Sequence, residues 1–263
     1  MFDAHCHLSV DRMVPSAEDA LAKARAAGVR GFLLAGIDPD DWNRQWELAT
    51  SQPDVYPCFG VHPQRVGEID FDHTRAMVEQ LANRLTGPVH LRPRAVGELG
   101  LDRAMCDSDS LPRQTWAFRE QLALARAADL PIVLHILRAQ DAALSILEAD
   151  GIPKAGGLVH SFSGSADLVK RYVKAGLMLS FAGPVTYTNA RRAVDACRAV
   201  PLDYLLVETD SPDQTPEPHR PGPNQPAYLP AIIEAVAQAR GQAPSAIAEA
   251  TENNARRLLR LGL

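Results

Sequence analysis

The segment Met1-Phe2-Asp3-Ala4-His5-Cys6-His7 is a short apolar run that ends in a His-x-His pair. Side chains alternate across a strand, so His5 and His7 point to one face and can share a metal ion. A doubly wound nucleotide-binding sheet would show Gly-x-Gly-x-x-Gly at this place, and this chain does not. The first strand therefore predicts a metal site at its C-terminal end.

Working outward, short β-branched or apolar runs alternate with longer amphipathic stretches. Strands are expected at Phe2–Cys6, 31–35, 55–60, 95–99, 132–135, 157–160, 177–181 and 204–208. Ser16 can cap a helix whose Leu21, Ala24 and Ala27 share a face, with Gly28 at its end. Ser110-Leu111-Pro112 starts another, in which Phe118, Gln121, Leu122 and Ala125 recur at helical spacing. Further helices are expected over 167–175 and 189–199, and Ser245 opens the last, which runs through Leu258 and Leu259. Eight strands each followed by a helix-sized segment predict a parallel α/β fold closed into a (β/α)8 TIM barrel, as one domain over 1–263. An open doubly wound sheet is the alternative. The loop over 211–226 carries six prolines and should be stiff and non-helical.

In a parallel barrel the C-terminal ends of all strands meet at one rim. His5 and His7 lie at the first strand, Glu98 at the fourth, His135 at the fifth, His160 at the sixth and Asp210 just after the eighth. A lone histidine in an apolar strand is usually a hydrogen-bonded core residue, but structural histidines have no reason to gather at one rim. Six such residues exceed what one tetrahedral ion needs. Two divalent ions are expected: one on His5, His7 and Asp210, the other on His135 and His160, with Glu98 bridging. Four imidazoles favour zinc, manganese or iron, with magnesium still compatible. Two dications against Glu98 and Asp210 leave roughly two positive charges, which suits an anionic substrate. His62, in Gly60-Val61-His62-Pro63, faces the same rim as a substrate contact.

The bulk numbers set limits. The chain has 263 residues, 46% of them hydrophobic, a net charge of −5 and no dense Lys/Arg run. It cannot hold long nucleic acid by backbone charge alone, so any phosphate is held by metal and a few arginines. Cys6, Cys58, Cys106 and Cys197 form no Cys-x-x-Cys pair, which fits a reducing compartment. No signal peptide and no bilayer-length apolar run are seen, so a cytoplasmic location without membrane or obligate protein partner is expected.

With these residues in view, the chain resembles the TatD family of metal-dependent hydrolases over nearly its whole length. The resemblance rests on Asp3-Ala4-His5-Cys6-His7-Leu8, Gly60-Val61-His62-Pro63, Val96-Gly97-Glu98-Leu99-Gly100-Leu101-Asp102 and Leu130-Pro131-Ile132-Val133-Leu134-His135. It continues through Val159-His160-Ser161-Phe162-Ser163-Gly164 and Glu208-Thr209-Asp210-Ser211-Pro212. Gln114, Phe118 and Gln121 match the family's helix before the fifth strand, and Asn253-Asn254 with Arg257-Leu258-Leu259 match its end. The resemblance implies a TIM barrel, the same six ligands, nuclease chemistry at 3′ ends, Asp210 orienting or deprotonating the water, and phosphate contact by His62. The chain departs from many members where His135-Ile136-Leu137-Arg138 replaces His-Ser-Arg, which makes Arg138 the candidate basic contact. It departs again at Pro212-Asp213 and at Arg220-Pro221-Gly222-Pro223-Asn224-Gln225-Pro226, closer to the YjjV-like branch.

The expected function is a two-metal phosphodiesterase or deoxyribonuclease acting on nucleic-acid ends or small phosphoesters. A metal-bridging hydroxide would attack, Asp210 would take its proton, and Glu98 would hold the ion pair. The alternative is hydrolysis of carboxyl esters or amides, including aminoacyl-RNA esters. A metal-loaded scaffold without catalysis is the third reading.

Overall fold

In the computed structural model residues 1–10, 16–104 and 110–262 are described. Strands and helices alternate in the order β1 (Phe2–Cys6), α1 (Ala17–Ala26), β2 (Gly31–Leu34), α2 (Pro39–Ser51), β3 (Val55–Tyr56) and β4 (Cys58–Phe59). There follow α3 (Pro63–Glu68), α4 (Phe71–Thr86), β5 (Ala95–Asp102), α5 (Leu111–Ala128), β6 (Ile132–Leu137), α6 (Gln140–Asp150) and β7 (Gly157–Val159). The chain ends with α7 (Ala166–Lys174), β8 (Leu177–Phe181), α8 (Arg191–Ala199), β9 (Leu205–Val207), α9 (Leu229–Arg240) and α10 (Pro244–Leu258).

Every strand pair is parallel, in two runs, β1-β2-β3 and β4 through β9 in sequence order. The expected third strand over 55–60 is broken at Pro57, which has no N–H to give to a ladder. The Pro57 carbonyl still accepts from Arg94 N at 2.8 Å, so the halves remain parts of one wall. The opposite seam closes beyond β9. Asp210 N donates to His5 O at 2.9 Å and His7 N to Ser211 O at 2.8 Å. The result is the parallel (β/α)8 barrel that the βα rhythm predicted, with its third strand in two pieces.

Helix starts follow the capping chemistry. Ser16, Asp38 and Asp70 each accept a backbone N–H three residues on, at 3.3, 3.0 and 2.8 Å. The segment 211–226 forms no α-helix, only short 3-10 turns at Glu217–His219 and Pro226–Tyr228.

Two apolar layers result. One, including Leu21, Phe32, Trp42, Phe118, Leu134 and Tyr172, lies between strands and helices. The other fills the barrel interior with Phe2, Ala4, Leu33, Ala95, Val133 and Leu206, sealed by Leu258 and Leu259 at the end of α10. Cys6 belongs to the outer layer. Cys6, Cys58 and Cys197 are buried free thiols, and Cys106 lies outside the described residues. No helix among the described residues is long and apolar enough to cross a membrane.

Candidate metal centre

Two irregular strands aim the central groups. Phe2 and Ala4 both belong to the barrel interior, so strict alternation from them would turn His5 outward. A register shift between Asp3 and Cys6 resets the phase. In β5, Ala95 points inward and a second register shift falls between Val96 and Leu99, which turns Glu98 into the barrel. Bulges of this kind commonly re-aim side chains beside active sites. Glycine makes room for the second one. A Cβ on Gly60 would lie 2.4 Å from the Gly97 carbonyl carbon, so the ends of β4 and β5 meet only as bare backbone.

Glu98 is fully buried at the hub. Its Oε2 lies 2.9 Å from His160 Nε2 and 3.5 Å from each of His5 Nε2, His62 Nε2 and His135 Nδ1. Its Oε1 lies 3.3 Å from His7 Nε2. Asp210 Oδ1 stands 3.5 Å from His5 Nε2 and 3.6 Å from His7 Nε2. His135 Nδ1 and His160 Nε2 approach to 3.0 Å. All six residues expected as ligands therefore converge, with His62 beside them.

The donor set fits divalent ions. Ligands about 2.1 Å from a tetrahedral ion sit roughly 3.4 Å from one another, the spacing seen here. Both Glu98 oxygens, both His5 nitrogens and His7 Nδ1 are buried without a hydrogen bond, which is costly unless something else is bound. His5, His7 and Asp210 form one group able to hold an ion, His62, Glu98 and His135 a second, and His5, His160 and Glu208 a third. The electrostatics agree. Burial works against charge on Glu98, yet the imidazoles of His5, His160 and His62 outweigh it and hold its carboxyl well below the ordinary range. Asp210 is lowered in the same way, burial being overcome by His7, His160 and His5.

Asp102 and Glu208 were absent from the expected site. Asp102 Oδ2 lies 3.0 Å from His135 Nε2, which leaves His135 Nδ1 to face Glu98. Glu208 Oε1 lies 3.5 Å from His160 Nδ1 and accepts from Ser161 N at 2.6 Å. Carboxylates behind ligating imidazoles fix ring tautomer and orientation. In the sequence Asp102 and Glu208 stand within Gly100-Leu101-Asp102 and Glu208-Thr209-Asp210 with nothing that marks them as partners of a ring. These two acids also correct the charge count. Four acidic side chains, Glu98, Asp210, Asp102 and Glu208, would stand against the four charges of the two dications expected from the sequence.

The structure separates the expected substrate contacts. His62 lines a cleft of about 520 Å3 together with His7, Glu98, His135, His160, Asp210 and Gln214. Its Nδ1 accepts from Gln64 N at 3.1 Å, so its proton sits on Nε2, facing Glu98. Burial, reinforced by nearby His135, lowers the His62 pKa to about 4 despite Glu98, so the ring is neutral near pH 7. Arg138 is exposed and does not line the cleft; Arg65 does. From α5, Gln114 takes the Asp102 N–H at 2.8 Å and Gln121 takes the Val61 N–H at 2.7 Å, clamping the backbone beside Asp102 and His62.

The sequence profile described as TatD related DNase matches residues 2–260. This chain belongs to the TatD-related DNase family. Among relatives, an uncharacterized metal-dependent hydrolase, YabD of Bacillus subtilis (strain 168), is 33% identical over 262 residues and covers 99% of both chains. A TatD protein of Erwinia billingiae, named a 3'-5' ssDNA/RNA exonuclease, is 33% identical over 269 residues, again with 99% of both covered. The crystal structure of the TatD homologue YjjV from Escherichia coli K12 superimposes with a TM-score of 0.91 at 30% identity, over 100% of this chain and 98% of that one. The Escherichia coli phosphotriesterase homology protein shares the fold, with a TM-score of 0.69 at 15% identity over 97% of both chains. The TatD-family barrel thus carries the buried carboxylate hub among relatives named for metal-dependent hydrolysis.

Proposed function

We propose that this protein is a two-metal phosphodiesterase that removes nucleotides from the 3′ ends of single-stranded nucleic acid. The observation that carries the reading is Glu98, a buried carboxylate with five imidazole nitrogens within 3.5 Å and no hydrogen bond on either oxygen. Support for the substrate comes from the family and from relatives named as exonucleases.

His5, His7 and Asp210 would hold one ion, His135 and His160 the other, with Glu98 shared between them. Such ions supply Lewis acidity toward a phosphoryl oxygen and lower the pKa of water toward neutrality. The chain's own groups do the rest. Asp210, which lines the cleft, accepts a proton from the attacking water. The water oxygen bonds to phosphorus, the P–O bond to the shortened strand breaks, and the proton accepted by Asp210 passes to that leaving oxygen as the terminal nucleotide is released. His62, whose neutral Nε2–H faces Glu98 in the free protein, would turn that donor to the phosphate on binding, and it stays uncharged near neutral pH. Because four carboxylates would offset two dications, phosphate recognition needs a further cation, and among the described residues Arg65 is the Lys/Arg side chain lining the cleft. A cleft of about 520 Å3 is within the usual range for a small ligand.

The test is release of labelled mononucleotides from 3′- and 5′-labelled single strands by protein loaded with zinc, manganese or magnesium. Release from the 3′ end that EDTA abolishes is expected. Metal-loaded protein that cleaves carboxyl esters and no phosphodiester would overturn the assignment in favour of acyl chemistry.

A further inference from the structure

We propose that Gln214, in the proline-rich segment after β9, is a positioning residue that sets the orientation of the Asp210 carboxylate. Gln214 Nε2 hydrogen-bonds Asp210 Oδ2. An ionised carboxylate only accepts, so the amide must turn its NH2 to Asp210 and its oxygen elsewhere. That oxygen accepts from Ser161 Oγ at 2.8 Å, while Ser161 N donates to Glu208 Oε1 at 2.6 Å. Glu208 in turn stands behind His160. One amide thus connects the carboxylate at the end of β9 to the support of the His160 ring. With Oδ2 held, Oδ1 is the oxygen left toward His5 and His7.

The backbone around Gln214 is built to hold it there. Its φ is 54°, and a Cβ on Gly183 would lie 1.7 Å from its carbonyl oxygen. The 3-10 turn Gly183–Thr186 after β8 therefore approaches Gln214 as closely as a bare glycine permits. The same turn accepts the Glu217 N–H on Thr186 Oγ1 at 2.8 Å, and Tyr187 Oη donates to Thr215 O at 3.1 Å. From the other side, fully buried Asn224 donates to Thr209 O at 2.7 Å and Asp213 O at 2.6 Å. A clamped, proline-stiffened loop presents one amide at one carboxylate oxygen, which gives the segment over 211–226 a task at the metal centre.

The inference rests on the reading that His5, His7 and Asp210 hold an ion. Metal-free protein is titrated with Mn2+ by calorimetry, with melting of the metal-free form measured alongside. Gln214→Leu keeps the volume and removes both polar ends; Gly183→Ala displaces the loop and leaves the amide intact. Each is expected to weaken one of two Mn2+ binding events about 10- to 100-fold, the usual effect of losing such a partner. The other event should stay unchanged in both variants; the metal-free melting temperature should stay unchanged in Gln214→Leu and fall in Gly183→Ala, whose methyl overlaps backbone. Ser161→Ala is expected to weaken the same event in the wild-type background and to add nothing in the Gln214→Leu background. Wild-type affinity for both ions in Gln214→Leu overturns the inference and leaves the two-metal reading standing. A wild-type protein that binds no Mn2+ or other divalent ion overturns that reading first, and the inference with it.

Discussion

Glu98 is a buried carboxylate that only neighbouring cations or polarised imidazoles can keep charged, and this fixes how protons and metal compete. His7, His135 and His160 are raised above the ordinary imidazole range: burial opposes their charge, but Asp210, Asp102 and Glu98 respectively lead the partners that outweigh it. In metal-free protein these rings therefore keep their protons to higher pH than an ordinary imidazole, and each must shed its proton to ligate. Apparent metal affinity should rise with pH through neutrality, with proton release seen as a buffer-dependent calorimetric heat. A pH-independent affinity with no proton release would show the rings to be neutral already. Asp102→Asn tests the support behind one ring. An amide in place of the carboxylate weakens the hold on His135 Nε2–H, and affinity for the ion on His135 should fall about 10- to 100-fold. The six converging residues, Glu98 and Asp210 among them, were legible in the sequence as candidate ligands because chemistry dictates their residue types. Asp102 and Glu208 were not, since a carboxylate one layer back reads as any other acid until the fold places it at 3.0 or 3.5 Å from a ring.

At the scale of elements, the βα rhythm exposed the barrel because hydrophobic period and turn chemistry are local properties. The irregularities were hidden because they are settled between strands. Nothing in Asp3-Ala4-His5-Cys6 shows by itself that the register slips, yet the slip is what reconciles an inward Ala4 with an inward His5. Pro57 did carry a local signal, the missing N–H, and it marks the break between β3 and β4. The meeting of Gly60 and Gly97 has a measurable consequence. In Gly60→Ala the new methyl would overlap the Gly97 carbonyl group, so the ends of β4 and β5 must part. His62 lies two residues after Gly60 and Glu98 one residue after Gly97, so both should move. Overpacking of this kind costs about 1–3 kcal/mol, and activity should fall further than stability alone explains. Chemical denaturation beside metal titration checks this; unchanged stability would mean that the two strand ends can separate freely.

For the whole molecule, the metal centre and barrel closure are one structural problem. Ligand candidates come from both ends of the chain: His5 from β1, Glu98, His135 and His160 from the middle strands, and Asp210 from beyond β9. The seam between β9 and β1 is held at this rim by Asp210 N to His5 O and His7 N to Ser211 O. At the other rim the N-terminal ammonium meets Glu252 of α10 at 2.7 Å. An ion shared by His5, His7 and Asp210 therefore spans the seam. The unfolded chain, which scatters these residues, has little affinity for such an ion, so binding adds directly to folding stability. At free metal about 100 times Kd the gain is about 2.7 kcal/mol per site, or roughly 5–10 °C in a chain of this size. Stripping with EDTA and reloading with zinc or manganese should move the melting temperature by that amount for each ion bound, increasing with metal concentration. Asp210→Asn should keep the metal-free melting temperature near that of the wild type while losing the part of the shift that comes from the ion across the seam. Equal melting of stripped and reloaded wild-type protein would mean that no ion joins β1 to the end of β9, and the convergence of imidazoles on Glu98 would need another cause.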